Sequence, residues 1–270
     1  MADRVAARAR IAWRLLALGW RSQMQFRGNF VSTLMGGVFL QGTQLLFLGV
    51  LLSRFGAIAG WSFDEVAFLF AVRLAAHSLF SVFFSGSMVL ELQAYDGTFD
   101  RYLLRPANVF VQLLTASPNL MAFGDLLLGV VALSIFAATA PITWTAGSVI
   151  FLLIAVVGGG LAEAGIQVFL LGFTFRARRM LSVRIFADNL MTAFAGYPLA
   201  IFGRLGLWAL TFLYPMAFVA YLPVTVLLGR SVSGLPDWLG WPAPAIGVGL
   251  FLGGYAFFMR QIRHYQSPGG

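Results

Sequence analysis

The sequence predicts an all-α, polytopic membrane protein. Six transmembrane helices are expected, with an N-terminal interfacial amphipathic helix and a re-entrant extracellular hairpin before the last span. Three observations carry this. Sixty per cent of the 270 residues are hydrophobic, only 10% are charged, and the mean hydropathy is +0.85, whereas a soluble domain carries about 25% charge. The apolar residues fall into runs long enough to cross the roughly 30 Å hydrocarbon core as helices. The 18 basic residues are all arginines, and most sit beside those runs, where positive charge orients spans. One membrane domain, residues 30–270, is expected after an N-terminal segment, residues 1–29.

The first segment holds Arg4, Arg8, Arg10, Arg14, Arg21 and Arg27 against one acid, Asp3. At about 100° per residue, Arg10, Arg14 and Arg21 form one stripe. Trp13, Leu16, Trp20 and Met24 form the adjacent face. That suits a helix lying in the cytoplasmic interface with its tryptophans at headgroup level. Arginines interrupt every stretch that could serve as the apolar core of a cleaved signal, although an Arg- and Ala-rich start also resembles a mitochondrial presequence.

The first span covers about 30–52, and Gln41 and Gln44 inside it either bond to neighbouring helices or line a pathway. The second, 63–90, carries Arg73 and His77 on one face. Charge at that depth is costly, so these residues face protein or water, in a structural ion pair or a substrate contact. Asp125 or Glu163 on a neighbouring helix is the expected partner of Arg73. The third span, 111–140, has Pro118 near its start and Asp125 inside. The fourth, 148–173, holds Gly158, Gly159, Gly160 and Gly165, whose missing side chains let helices approach closely, and Glu163 near mid-depth. Arg176, Arg178, Arg179 and Arg184 then mark a cytoplasmic loop.

Runs 185–203 and 205–229 are each long enough to cross. If both crossed, Arg260, Arg263 and His264 would lie outside, against the charge rule. The second is broken by Pro215 and Pro223, so it is the expected hairpin, which membrane depth allows when it is buried against protein. Trp238 and Trp241 mark the outer interface, and the last span is 242–259. Fourteen arginines then fall inside, three outside (Arg54, Arg204 and Arg230) and Arg73 within the membrane. Both termini are expected on the cytoplasmic side.

Between the second and third spans lies the polar stretch 91–110, ELQAYDGTFDRYLLRPANVF. Asp96-Gly97 is a turn signal, and Asp96 or Thr98 can accept from the first free N–H groups of a short helix. Pro106 ends that helix, since it lacks an N–H and pushes Arg105 out of helical geometry. By composition alone this is a solvated connector or a short helix with two faces.

The sequence also excludes chemistry. A net charge of +8 does not make this a nucleic-acid binder, because the arginines form no soluble basic face. Without lysine there is no P-loop lysine for ATP phosphates and no Schiff base. With no cysteine there is no thiol nucleophile or thiolate metal site. With only His77 and His264 as imidazoles, a zinc site is not expected. No catalytic or metal-ligating residue is assigned.

The run DGTFDRYLLRP fits the pattern G-x-[LF]-D-x-x-L-x-R-P and resembles the cytoplasmic loop of ABC-2 type transporter permeases. Tyr197-Pro198, LYPMAFVAYLPVTVLLG (213–229) and the ending RQIRHYQSPGG resemble late segments of the same subgroup, with Pro268 standing where a small residue is expected. The hairpin resembles one that these permeases insert between their last two spans. The resemblance implies a coupling helix that docks on a separate ATPase through Asp96, Gly97, Phe99, Asp100, Arg101, Tyr102, Leu103, Leu104, Arg105 and Pro106. Phe99, Tyr102 and Leu103 would be its anchors, and Asp100, Arg101 and Arg105 its rim. It further implies ATP and Mg bound by that ATPase, no cofactor in this chain, and a second permease that is an identical copy or a paralogue. The setting would be a bacterial plasma membrane with its lipids, and the work export; the aromatic content points to a hydrophobic or amphipathic substrate. Two other classes remain open on residues alone. A lipid-modifying intramembrane enzyme would use His77, Asp125 and Glu163. An ion-coupled transporter or channel would use Arg73, Asp125 and Glu163 as a relay.

Overall fold

The computed structural model describes residues 27–84, 86, 90–106, 108–116, 119, 121–176 and 180–267. The expected interfacial helix therefore lies outside the described residues, except that 27–29 open the first span. Regular structure among the described residues is helical, apart from one isolated bridge between Ile58 and Trp61.

The helices are α1 (Arg27–Phe55), α2 (Phe63–Phe84), α3 (Leu90–Tyr95), α4 (Asp100–Leu103), α5 (Val109–Ala116) and α6 (Met121–Thr139). They continue with α7 (Ala146–Gly172), α8 (Met180–Phe194), α9 (Gly203–Trp208), α10 (Tyr221–Leu227) and α11 (Ala243–Gln261). Local chemistry starts several of them. Ser62 and Glu65 form a reciprocal cap on α2: Ser62 N–H donates to Glu65 Oε2 (2.8 Å) and Glu65 N–H to the Ser62 hydroxyl (3.4 Å). Thr145 and Ser148 do the same for α7, each pair satisfying N–H groups that a helix start leaves free.

Five helices, α1, α2, α6, α7 and α11, are long and apolar enough to cross a membrane. α2 is the central one, enclosed by α6, α7 and the hairpin, with almost every residue from Glu65 to Ala76 buried. A helix apolar all round needs such an enclosure. α7 and α11 form the most extensive pair and run parallel. Gly158 faces Pro244 and Gly247, and one heptad on, Gly165 faces Leu250 and Gly254. With no side chain on these glycines, the backbones meet directly there. α1 leans on α6 where Gly37 and Gly124 meet the opposite backbone, and most of its other face is apolar and exposed, as at Phe39 and Leu46.

The ends of the bundle differ in character. At one end, Trp241 packs on Phe151 (ring centroids 5.0 Å) and Trp61 on Tyr221 (5.7 Å). There Arg230 grips both oxygens of Glu65 at 2.7 and 2.9 Å, donates to the Gly60 carbonyl at 2.9 Å and covers the Trp61 ring at 5.1 Å. This clasp ties the exit of the hairpin to the start of α2. At the other end the last turns of α2, α7 and α11 converge under the polar loop.

Three expected spans are redrawn. The second ends at Phe84 and not at residue 90, and a separate short helix, α3, leads into the loop. The third is divided into α5 and α6, and Asn119 Oδ1 accepts from Met121 N–H (3.0 Å) to restart the helix; Pro118 lies outside the described residues. The fifth, expected over 185–203, is α8, and it stops at Phe194. The cause is Tyr197-Pro198, since proline disfavours helical geometry in the residue before it. A 3₁₀ turn (Leu199–Phe202), α9 and a π-helical turn (Ala209–Leu213) then run back at 114° to α8. The Tyr214 hydroxyl donates to the Ala187 carbonyl at 2.7 Å, so the chain has returned to the level of the second turn of α8. The hairpin thus begins at Leu199 and not at residue 205, turns at Tyr214-Pro215 and rises again through α10.

Candidate functional site: a braced loop and a buried charge cluster

The polar loop is fixed by its turn and by its aromatic residues. Asp96 Oδ1 accepts from the Thr98 hydroxyl (2.6 Å) and from Thr98 N–H (2.9 Å). Gly97, at φ +78°, supplies a left-handed conformation that a side chain would resist. The hydrogen bonds from Thr98, hydroxyl first, hold the Asp96 carboxyl below its ordinary range. A depressed carboxylate supports the turn fully above its ordinary pKa and loses that support only as pH falls through the lowered value. The turn is therefore set at any physiological pH. α4 itself has no side-chain cap, so Asp96 caps the turn rather than the helix.

Phe99 and Tyr102 point into the bundle, with 0% and 3% of their surface exposed. Phe99 meets Tyr265 edge-on (4.8 Å) and Phe175 (5.4 Å), beside Leu113, Leu171 and Phe258. Gln112 Nε2 donates to the Tyr102 carbonyl (3.0 Å), and the Ser267 hydroxyl donates to Asp100 Oδ2 (2.7 Å). The expectation that Phe99 and Tyr102 are anchors for a partner is corrected: they are buried in this chain's own core. The loop instead presents Arg101, Leu103 (45% exposed), Leu104 (85% exposed), Arg105 and Pro106. Large apolar side chains exposed on an otherwise charged loop are what a partner surface covers.

The second constellation lies inside the bundle. His77 on α2 sets Nδ1 2.7 Å from Glu163 Oε1 on α7, and the Ser81 hydroxyl lies 3.3 Å from Nε2. A proton on Nδ1 satisfies both contacts. Arg73, one turn earlier and fully buried, donates to Thr192 Oγ1 of α8 at 3.2 Å. It lies in the electrostatic range of Glu163, Asp188 and Asp125. Among the described residues Arg73 makes no ion-pair contact with either acid expected as its partner, Asp125 or Glu163; both act on it through space. Glu163 is held by His77, Asp125 accepts a hydrogen bond from Gln41, and Arg73 balances the group through space. Arg73 Nε and Nη1, Glu163 Oε2 and Gln167 Oε1 are buried without a hydrogen bond. Gln44 is half-buried on α1.

Two members of this cluster escaped the sequence reading. Asp188 on α8 accepts from Gln167 Nε2 at 3.4 Å. Its signal was the one that marked Asp125 and Glu163, a lone acid in an apolar run. Arg184, read as a loop arginine, is fully buried in α8 within range of Glu91 and Asp188; Arg178 and Arg179 lie outside the described residues. Among the described residues, no three His, Asp or Glu side chains are grouped to hold a metal ion.

The family profile described as "ABC-2 family transporter protein" matches residues 38–269, a range that takes in the braced loop, the buried charges and the hairpin. No curated protein and no solved structure matches the chain. With a profile match over most of its length and five to six helices able to cross a membrane, the chain belongs to the ABC-2 transporter family, as a multi-pass transmembrane permease subunit of an ABC transporter.

Proposed function

We propose that this permease forms one half of an exporter in a bacterial plasma membrane, both of its termini cytoplasmic. It pairs with a second permease, identical or paralogous, and carries a hydrophobic or amphipathic substrate outward. ATP and Mg are bound by a separate ATPase subunit, which supplies the driving force by hydrolysis. The observation that carries this reading is the division of labour within the loop. Phe99 and Tyr102 fasten it to the inner ends of α7 and α11, while Leu103, Leu104, Arg101 and Arg105 face outward. A push on that outer face passes through Phe99 into Phe175 and Tyr265, and so into the tightly joined α7–α11 pair as a rigid-body displacement.

Leu104→Asp is the direct test, with Leu103→Asp beside it. Both side chains are exposed, so the variants are expected to insert and fold normally. ATPase co-purification and ATP-driven export are expected to fall together, at least tenfold. Phe99→Ala should behave differently, destabilising the permease itself by about 3–5 kcal/mol, as removal of a buried phenyl ring does. Normal ATPase recovery and normal export from inserted Leu104→Asp would defeat the docking assignment.

Orientation has its own check. A single cysteine placed at Gln266 in this cysteine-free chain is expected to react only after the membrane is permeabilised. Labelling from outside intact cells by an impermeant maleimide would overturn the cytoplasmic placement of the loop end.

A further inference from the structure

Between α7, α8, α11 and the tip of the hairpin lies a cavity of about 900 Å³, within the size range of small-molecule sites. Phe169, Phe186 and Phe212 line it, with Gly249 and Gly253 of α11 and with Tyr214. Two features set it apart from an ordinary gap between helices.

The first is a pair of glycines with no packing reason. α11 uses Gly247 and Gly254 to meet the α7 backbone, and a side chain on either would strike it. Gly249 and Gly253, one turn apart, are different: a Cβ on either meets no atom within 4 Å. Glycine in a helix interior costs about 1 kcal/mol relative to alanine, and here no helix contact offsets it. The effect of the two absent side chains is an open cavity.

The second is what lies behind Tyr214. This residue follows directly on the π-helical turn Ala209–Leu213, a distortion often found at functional positions. It stands in the electrostatic range of Glu163, Asp188 and Arg73. The unbonded atoms of the cluster, Arg73 Nε and Nη1 and Glu163 Oε2, belong to fully buried residues. The apolar lining thus includes Tyr214 but not the unbonded polar atoms, which lie outside it.

We propose that this cavity receives the alkyl chain of the amphiphile that the permease moves, with the polar end outside the apolar lining; this deepens the exporter reading and rests on it. Tyr214 is the one polar side chain in the lining, and its hydroxyl is committed to the Ala187 carbonyl. The walls therefore offer no free side-chain hydrogen-bonding group. The ligand portion that fits carries no polar atoms either, which favours a hydrocarbon chain over a sugar or a heterocycle.

The test uses the full chain in nanodiscs of dimyristoyl phosphatidylcholine, photolabelled with palmitic acid that carries a terminal diazirine. Label is expected on the peptides of Phe186 and Phe212. It should saturate, and unlabelled palmitic acid should compete for it. Gly249→Leu with Gly253→Leu, which fills the cavity without meeting backbone, should reduce the label at least tenfold. Gly42→Leu on α1, equally free of neighbours, should leave it unchanged. In proteoliposomes with the ATPase, ATP-driven export of the same probe should fall with the label. Label that does not saturate, or that matches the lipid-facing Phe39 of α1, means bulk lipid and overturns the proposal. A cross-link between two permease chains at these helices means that a second copy fills the cavity, and overturns it. Saturable label with export untouched by the double glycine variant means a resident lipid, and overturns it too. Labelling requires no ATPase. Saturable, variant-sensitive label with no ATP-driven export of the probe by the unmodified protein therefore counts against the exporter reading, and leaves the alkyl-chain site standing.

Discussion

Arg73→Met destabilises the folded permease by about 3–5 kcal/mol, the expected cost when one side of a buried charge group is removed. Methionine retains much of the side chain's volume, so the loss reports charge rather than a cavity. The guanidinium faces Glu163, Asp188 and Asp125 together. Glu163 has a second basic neighbour in contact, His77 at 2.7 Å. Without Arg73 the cluster has excess negative charge in a region where water cannot screen it. The same reasoning selects the rescuing change. Asp188→Asn keeps an oxygen for Gln167, removes one negative charge and leaves the His77–Glu163 contact untouched. The double variant Arg73→Met/Asp188→Asn is therefore expected to recover part of the loss in a detergent melt. If neither Asp188→Asn, Glu163→Gln nor Asp125→Asn recovers any stability, the charges are not coupled.

Gly165→Ala is expected to disrupt the seam between α7 and α11, although it adds a single carbon. That carbon would sit 2.5 Å from Leu250 C and Phe251 N and 2.6 Å from Leu250 O, all backbone atoms with nowhere to turn. Overpacking of this kind costs about 1–3 kcal/mol, occasionally more, and here the helices must part. Gly158→Ala should be comparable, its new carbon 2.5 Å from Pro244 Cα. Gly172→Ala should cost less, because what it meets first is the Phe257 ring at 2.8 Å, which can rotate. Gly42→Ala, with nothing within 4 Å, should be neutral or slightly stabilising. Folded yield and melting temperature order the four variants, and equal stability of Gly165→Ala and Gly42→Ala would refute the backbone contact.

Much of this architecture was legible because a bilayer constrains a chain severely. Long apolar runs had to be helices, and those behind α1, α7 and α11 matched to within about three residues. The glycines of α7 also announced a close contact, although not with which helix. What could not be read was direction. An apolar run of 15 to 25 residues has the same composition whether it crosses or turns back, so the fifth span was drawn through Pro198, where the helix had already ended. The loop shows a different limit. In a helix as short as α4 the periodicity is too brief to assign faces, and Phe99 and Tyr102 read equally well as anchors for a partner or as core. Among the buried charges, residue types marked Arg73, His77, Asp125 and Glu163, but pairing depends on helix register. Asp188 lies in a run whose length alone does not show which neighbours it meets.

The attachment of the C-terminal stretch to the loop bears on how the protein is handled. Tyr265 packs on Phe99, the Ser267 hydroxyl holds Asp100, and Arg176 meets His264 at 3.0 Å. A bulky label attached at the exposed Gln266, between Tyr265 and Ser267, would therefore disturb the contacts that hold Phe99 and Asp100, and would mimic a coupling defect in an otherwise intact permease. The exposed turn that carries Pro141 and Thr143, at the opposite end of the bundle, is the safer position for an epitope.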